Sequence, residues 1–137
     1  MKDKTHHILR LDSNNDFETV CNNKRYLTSM TSVNGWSPNT VVIFLKKIKL
    51  DSVIGYGIIE AIPDVEDLTQ EEQERCDKTG NRFVLRLHDL NPLDPPKLVK
   101  ETAIGKWPYH GNRLHGKGLT EKELGTILPM FLVLKKR

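Results

Sequence analysis

Hydrophobic residues in this chain gather in short runs that are typical of buried strands. Three runs stand out, at Val41–Leu45, Ser52–Ile59 and Arg82–His88. The first is apolar at successive positions, which indicates a central strand covered on both faces. The third alternates apolar and polar residues, which indicates one buried face and a basic outer face. Weaker alternation predicts two further strands, at His6–Leu11 and Lys97–Ile104.

The second run contains two glycines, Gly55 and Gly57, which share one face of the predicted strand. Glycine weakens a strand interior and usually marks sharp curvature or the close approach of another group. The pattern therefore favours a small, strongly bent barrel over a flat sheet.

Helix signals occur at three places, Asn15–Arg25, Thr69–Lys78 and Thr120–Leu128. The second begins with Thr69 and has Glu72 three residues later, a capping box in which each side chain binds the other residue's backbone N–H. The third begins with the same arrangement. Most of the second helix is polar, and we expect it to face water.

Turn residues and prolines divide the rest of the chain. They predict loops at Thr31–Asn39 and Gly105–Gly118, and a chain break at Asn91–Pro96. The apolar stretch Met130–Leu134 near the end of the sequence must pair with the sheet or pack on a partner.

Strands mixed with helices predict an α+β fold, a small curled mixed β-barrel of about five to six strands with two to three flanking helices. A length of 137 residues fits one domain, 1–137, with 129–137 as an apolar and basic tail. The charged start Met1–Lys4 is unlike a secretory signal, and no apolar run is long enough to span a membrane. Two cysteines are too few for a disulfide framework, so we expect a cytoplasmic protein with no membrane partner.

Charge is unevenly distributed along the chain. The net charge is +4 in residues 1–50, −7 in 51–80 and +6 in 81–137. This pattern suits a protein that attracts an anion on one side and repels it on another, although solvated surface charge would give the same count.

Catalytic and metal-binding patterns are weak. His6 and His7 are adjacent, so on a strand they point to opposite faces and cannot easily share an ion. No zinc-ligand spacing or serine elbow is present. Cys21 is predicted to pack in the core, and carboxylates around Cys76 make that thiol less reactive. We therefore predict no metal, no cofactor and no catalytic residue.

Aromatic and basic residues in the predicted loops form the strongest candidate site. Trp36, Trp107 and Tyr109 lie in loops, where an indole can either close the core or offer a flat face to a ligand. Stacking of a base on an aromatic side chain contributes about 1–3 kcal/mol, and cations nearby attract phosphate.

Taken in order, these segments resemble the EVE domain of the PUA-like superfamily, a group of small barrels that includes ASCH and YTH domains. The likeness spans about residues 6–128. It rests on an opening strand and helix (7–11 and 15–25), two strands around the paired glycines (41–46 and 53–59), the strand 83–90, and a loop tryptophan before a basic Gly-Lys element and a closing helix (106–107, 115–117 and 120–128).

The resemblance implies a cleft between the barrel mouth and the first helix that takes a nucleobase, often a modified one. Phe44 and Trp107 match the pocket walls, and Trp36 could replace the Trp-Gly aromatic that the family often carries after its first helix. Lysines and arginines would hold phosphates. The candidate residues are Trp36, Phe44, Lys46, Lys106, Trp107, Tyr109, His110, Arg113 and Lys117.

The function predicted from the sequence is a non-catalytic nucleic-acid-binding domain, with RNA preferred over DNA. One alternative is an ASCH-like hydrolase or nuclease with a site among Lys46, Glu101 and His110. Another is a protein-interaction module in which the tail mediates a weak homodimer; otherwise the protein is expected to be a monomer.

Overall fold

The computed structural model describes residues 5–11, 16–108 and 111–129. Tyr109, His110 and the tail from residue 130 onward lie outside these ranges. Within them the chain forms six strands and three helices. The strands are β1 (His6–Leu11), β2 (Arg25–Thr28), β3 (Val41–Lys47), β4 (Asp51–Ala61), β5 (Phe83–Leu98) and β6 (Gly118–Leu119), and the helices are α1 (Phe17–Asn23), α2 (Gln70–Thr79) and α3 (Glu121–Ile127). No helix in these ranges is long and apolar enough to cross a bilayer.

The strands form one mixed sheet in the order β2-β5-β4-β3-β1-β6. β1 pairs in parallel with β3, and the other pairs are antiparallel. The registers of β3 with β4 and of β4 with β5 shift at several points. Such bulges bend a strand and increase its twist, so the sheet curls into a half-barrel, and the predicted α+β fold is confirmed.

Both faces of the central strands are buried. Ile8 and Ile43 belong to one hydrophobic cluster, which includes residues of α3 and of the 3-10 turns after β5. Leu9 and Phe44 belong to a second cluster, which includes residues of α1. Because neighbouring residues on a strand point in opposite directions, β1 and β3 supply both clusters. The prediction of a central strand over Val41–Lys47 is confirmed.

The two glycines of β4 lie where other side chains approach the backbone. A Cβ atom on Gly55 would collide with the Phe17 ring of α1. A Cβ atom on Gly57 would lie 2.6 Å from Leu90 Cδ2. The close approach predicted from the glycine pair is therefore present, and it lets α1 pack directly on the sheet.

Two predicted boundaries and one predicted strand are wrong. The first helix ends at Asn23 because Lys24 adopts a left-handed conformation (φ 54°), and the next four residues form β2 against β5. β5 does not stop at Asn91–Pro96 but continues to Leu98, since the shifted register at Pro92 accommodates residues without an N–H. The predicted strand at Lys97–Ile104 is replaced by the end of β5 and two 3-10 turns.

Helix α2 is attached to the sheet through a buried carboxylate. Glu72 is 4% exposed and accepts hydrogen bonds from Arg86 at 2.8 and 3.0 Å and from Arg25 at 2.7 Å. The same carboxylate completes the capping box with Thr69, at 2.9 Å from its backbone nitrogen. Arg86 was predicted to lie on an open basic face, and the structure instead places it under α2. Cys76 on the same helix is also buried, so this helix is less solvated than its polar sequence predicted.

This ion triad predicts a pH-dependent stability. The hydrogen bonds from Arg86 lower the pKa of Glu72 from 4.5 to about 2, with further bonds from Thr69 and Arg25, against the effect of burial. The unfolded chain therefore takes up this proton first as the pH falls. The stabilisation is complete above about pH 4.5 and is lost as the pH falls towards 2.

We expect Glu72→Gln to lower the free energy of unfolding at pH 7 by about 2 kcal/mol, because two arginines lose their charged partner. Urea unfolding at several pH values between 2 and 7 would measure this. The variant should also show a shallower pH dependence below 4.5. Glu71→Gln, an exposed carboxylate in the same helix turn, is the matched control. Equal effects of the two substitutions would contradict the account.

Candidate nucleic-acid interface

Trp107 is held in a fixed orientation at the β6 edge of the sheet. It follows the 3-10 turn Ala103–Lys106, and its backbone N–H donates to Ile104 O at 3.0 Å. Its indole Nε1 donates to Glu123 Oε2, also at 3.0 Å. The ring packs partly against the first hydrophobic cluster and stays half-buried. The indole is therefore anchored at one edge and still accessible.

Glu123 has two roles. Its Oε1 accepts from the backbone N–H of Thr120 at 3.0 Å, and its own N–H donates to Thr120 Oγ1 at 3.1 Å. This is the predicted capping box of α3, and it is confirmed. Because the second carboxylate oxygen binds Trp107, the start of the helix also sets the direction of the indole.

A cavity of about 430 Å³ lies beside this indole. It is lined by Trp107, Pro108, Lys117, Gly118 and Glu123. The residues opposite Trp107 are fixed to β1, since Ile8 N–H donates to Lys117 O at 2.9 Å and Gly118 pairs with His7. The cavity thus offers an aromatic surface, an amine and a carboxylate on firmly held backbone. Such a set suits a planar polar group attached to an anion.

Two further predicted cations border the same segments. Lys106 directly precedes Trp107, and Arg113 lies in the 3-10 turn Gly111–Leu114. Both side chains are exposed. Tyr109 and His110 lie outside the described residues, so their assignment stays a prediction.

Trp36 lies on the other face of the sheet from Trp107. Its ring stacks on His7, with centroids 3.8 Å apart and planes 8° from parallel. It packs against the second hydrophobic cluster, whereas Trp107 packs against the first. Trp36 does not line the Trp107 cavity. The structure therefore separates two indoles that the sequence predicts in one pocket.

Phe44 is a core residue and presents no surface to a ligand. It is fully buried, with its ring 5.1 Å from that of Phe17 and 6.3 Å from that of Tyr26. The resemblance implies a pocket wall at this position, which would require these covering residues to move. Lys46 is half-buried near the start of α1, where its charge acts on Asp16. Neither residue lines the Trp107 cavity.

Three residues of the cavity were not predicted as site residues: Pro108, Gly118 and Glu123. The capping signal at Glu123 was recognised, but a sequence pattern cannot show that its second oxygen binds an indole. Gly118 lies in a two-residue strand, which is too short to give a periodic signal.

A polar groove lies beside the first helix, where the family resemblance implies a cleft. Two cavities of about 400 and 420 Å³ adjoin there and share Asn23, Arg25, Leu27 and Arg75. Each arginine already has a carboxylate partner in α2, at 2.7 Å for Arg25 and 2.9 Å for Arg75. Tyr26 is the groove's aromatic residue, and it is buried. The groove is thus less suited to a flat anion than the Trp107 cavity.

His6 belongs to the α3 side of the sheet. Its Nδ1 accepts from Val41 N–H at 2.9 Å. Its Nε2 lies 3.0 Å from Glu121 Oε1, within ion-pair range but not aligned for a hydrogen bond. His7 points to the opposite face, as predicted, so the two rings do not converge. Among the described residues no group of three potential metal ligands occurs.

The remaining groups with catalytic potential are the thiols of Cys21 and Cys76 and the carboxylate of Glu101. Burial raises the pKa of both Cys21 and Cys76, with smaller effects from nearby carboxylates. Both thiols are therefore poor nucleophiles at neutral pH. Glu101 is ion-paired with Lys97 at 3.2 Å.

Comparison with known proteins shows the fold. No protein-family description and no curated protein match this chain. Its structure is similar to that of ASCH from Zymomonas mobilis, with a TM-score of 0.59 and 15% identity over 93% of this chain and 94% of that one. A mutant of the same protein gives 0.61 and 16%, over 95% and 99%. A hypothetical protein from Leishmania major gives 0.64 and 13%, over 98% of each.

These identities are low, so the likeness is one of architecture. The chain shares the fold of the ASCH protein from Zymomonas mobilis. The narrower resemblance to the EVE domain stays a prediction.

The stacked His7 predicts a second pH effect. Burial, and to a lesser degree the charge of His6, lowers the pKa of His7 from 6.5 to about 4. Its Nδ1 is buried and has no hydrogen-bond partner in the described part of the chain. The unfolded chain therefore takes up this proton first as the pH falls from 6.5 to 4, and stability falls over that window.

We expect His7→Phe to keep the stack on Trp36 and to remove this component of the pH dependence. Urea unfolding between pH 4 and 7 would measure the change. His88→Phe, at an exposed histidine, is the control. A wild-type stability that is flat between pH 6.5 and 4 would contradict the assignment.

Proposed function

We propose that this protein binds RNA, without catalysis, through an unpaired base that stacks on Trp107. The observation that supports this most directly is the anchored indole beside Lys117 in a cavity of about 430 Å³. A ring that is already fixed loses little conformational freedom when a ligand stacks on it.

The polar groups of the cavity suit the edge of a base. Glu123 accepts the indole N–H at Oε2 and the Thr120 N–H at Oε1, and each oxygen can accept a further hydrogen bond. The base could therefore donate an exocyclic amine to this carboxylate while its face contacts the indole. A modified base would differ in this contact and in the fit against Pro108.

Cations close in sequence to the cavity residues suit the backbone of the same strand. Lys106 directly precedes Trp107, Arg113 lies four residues before Lys117, and both are exposed. Phosphate contacts of this kind position a strand without reading its sequence. An accessible base is common in single-stranded RNA loops, which is why RNA is the preferred partner over DNA.

Substitution of Trp107 tests the proposal. We expect Trp107→Ala to weaken binding of a single-stranded RNA oligonucleotide about tenfold or more, since one base–aromatic stack is lost. Fluorescence anisotropy at fixed salt would measure affinity, and thermal unfolding of the same variant would report stability. Trp107→Phe, which keeps a flat ring, should retain most of the affinity.

Trp36→Ala is the matched control, because the other indole packs on the opposite face. It should lower stability and leave RNA affinity nearly unchanged. Loss of affinity in Trp36→Ala, or a Trp107→Ala variant that loses only stability, would contradict the proposal. Release of a cleaved product from the RNA would instead indicate an enzyme.

A further inference from the structure

The hairpin that joins β3 to β4 exposes two large aliphatic side chains. Ile48 is 58% exposed and Leu50 is 51% exposed. Val65 is the other large hydrophobic residue with such exposure in the described part of the chain, and it lies in the acidic segment. These two exposed aliphatic residues on one turn form a small apolar patch that a ligand can cover.

Lysines surround these side chains. Lys46, Lys47 and Lys49 lie in the hairpin, and Lys100 is exposed on the neighbouring 3-10 turn after β5. The nearest hairpin carboxylate, Asp51, is already bound by Arg10 at 3.0 Å. We call the segment Lys46–Leu50 the basic tip.

The basic tip has internal hydrogen bonds. Leu50 O accepts from Ile48 N–H at 3.3 Å and from Ser52 Oγ at 3.1 Å. Arg10 connects its base to β1 through Asp51. The aliphatic side chains are therefore displayed on a structured turn.

The charge of the molecule is polarised along β4. The basic tip lies at the beginning of this 11-residue strand, and Glu60, Asp64, Glu66 and Asp67 follow at its end. A strand of this length spans up to about 33 Å. A polyanion is thus attracted to the hairpin end of the sheet and repelled from the other.

A small cavity lies between the basic tip and the chain segment that precedes Trp107. This cavity of about 170 Å³ is lined by Leu50, Lys100, Gly105 and Leu114, together with Asp51 and Val99. Gly105 is two residues from Trp107, a span of at most about 7 Å. A strand leaving the indole can therefore reach the tip along the segment that carries Lys106.

We propose that the basic tip is a second contact for the same RNA, with lysines on its phosphates and with Ile48 and Leu50 packed against its sugars and bases. This inference rests on the proposed function. It makes the binding site longer than one base and gives the bound strand a direction, from Trp107 towards the β3–β4 hairpin. Proteins that bind the minor groove of duplex DNA likewise combine cations with apolar side chains inserted beside the bases.

Length and salt dependence test the inference. The probes are single-stranded RNA oligonucleotides of about 4 and about 16 nucleotides, which bracket a short and a long footprint. Lys47→Ala/Lys49→Ala should weaken binding of the long RNA about tenfold and leave the short RNA nearly unchanged. For this double variant, the slope of log affinity against log salt concentration should fall in magnitude by about 1.4, since each single-strand phosphate contact contributes about 0.7.

Ile48→Ser/Leu50→Ser should weaken binding of the long RNA without changing the salt slope. The matched controls are Lys78→Ala/Arg82→Ala, which removes the same charge at the other end of the molecule, and Val65→Ser. These controls should bind both RNAs as the wild type does. All the substituted side chains are exposed, so we expect their unfolding temperatures to stay close to that of the wild type.

Two results would overturn the inference. One is binding of the long RNA that depends on Trp107 but not on the tip. The other is a tip that is needed for binding vesicles of anionic phospholipid and not RNA. If the proposed function itself is wrong, the wild-type protein will bind neither the short nor the long RNA, a result that differs from both of those above.

Discussion

The position of β1 between β3 and β6 is the constraint on which the rest of the structure depends. β1 pairs in parallel with β3 on one side and antiparallel with β6 on the other. The second pairing joins this strand to a segment more than 100 residues later in the chain. Ile8 contributes to this with both backbone groups, donating to Lys117 O and accepting from Gly116 N–H. Without the contacts to β1, Lys117 and Gly118 would lose the hydrogen bonds that hold their backbone, and only the Trp107 side of the cavity would stay fixed.

The alternation of β1 then separates core from site. Its even-numbered residues face α3 and its odd-numbered residues face α1, so each layer of the protein has its own cluster. Each tryptophan packs at the edge of a different cluster. Trp36 ends against a buried histidine ring, while Trp107 ends against a carboxylate at an accessible cavity. The sheet thus places one indole against a buried histidine ring and the other beside a cavity.

Local signals predicted much of this fold, and contacts distant in sequence explain the errors. The strand Val41–Lys47 and both capping boxes were predicted correctly, because the hydrophobic pattern and the capping hydrogen bonds involve residues that are close in sequence. β2 was missed because its four residues gain stability only from pairing with β5. The Glu123 contact with Trp107 was missed for the same reason, since it joins residues 16 positions apart. Trp107 and Lys117 line one cavity, and loop aromatics beside cations are the compositional signal that grouped them; their role in binding stays a prediction.

In the proposed function the ligand meets Trp107 beside its cavity, and not Trp36, whose ring is stacked on His7. The chain has two tryptophans, so a ¹H–¹⁵N spectrum contains two indole signals that can be assigned by substitution. Titration with single-stranded RNA should shift the Trp107 indole signal, whose N–H lies at the cavity, and leave that of Trp36 in place. A shift confined to Trp36, or no shift of either signal at saturating RNA, would contradict the account.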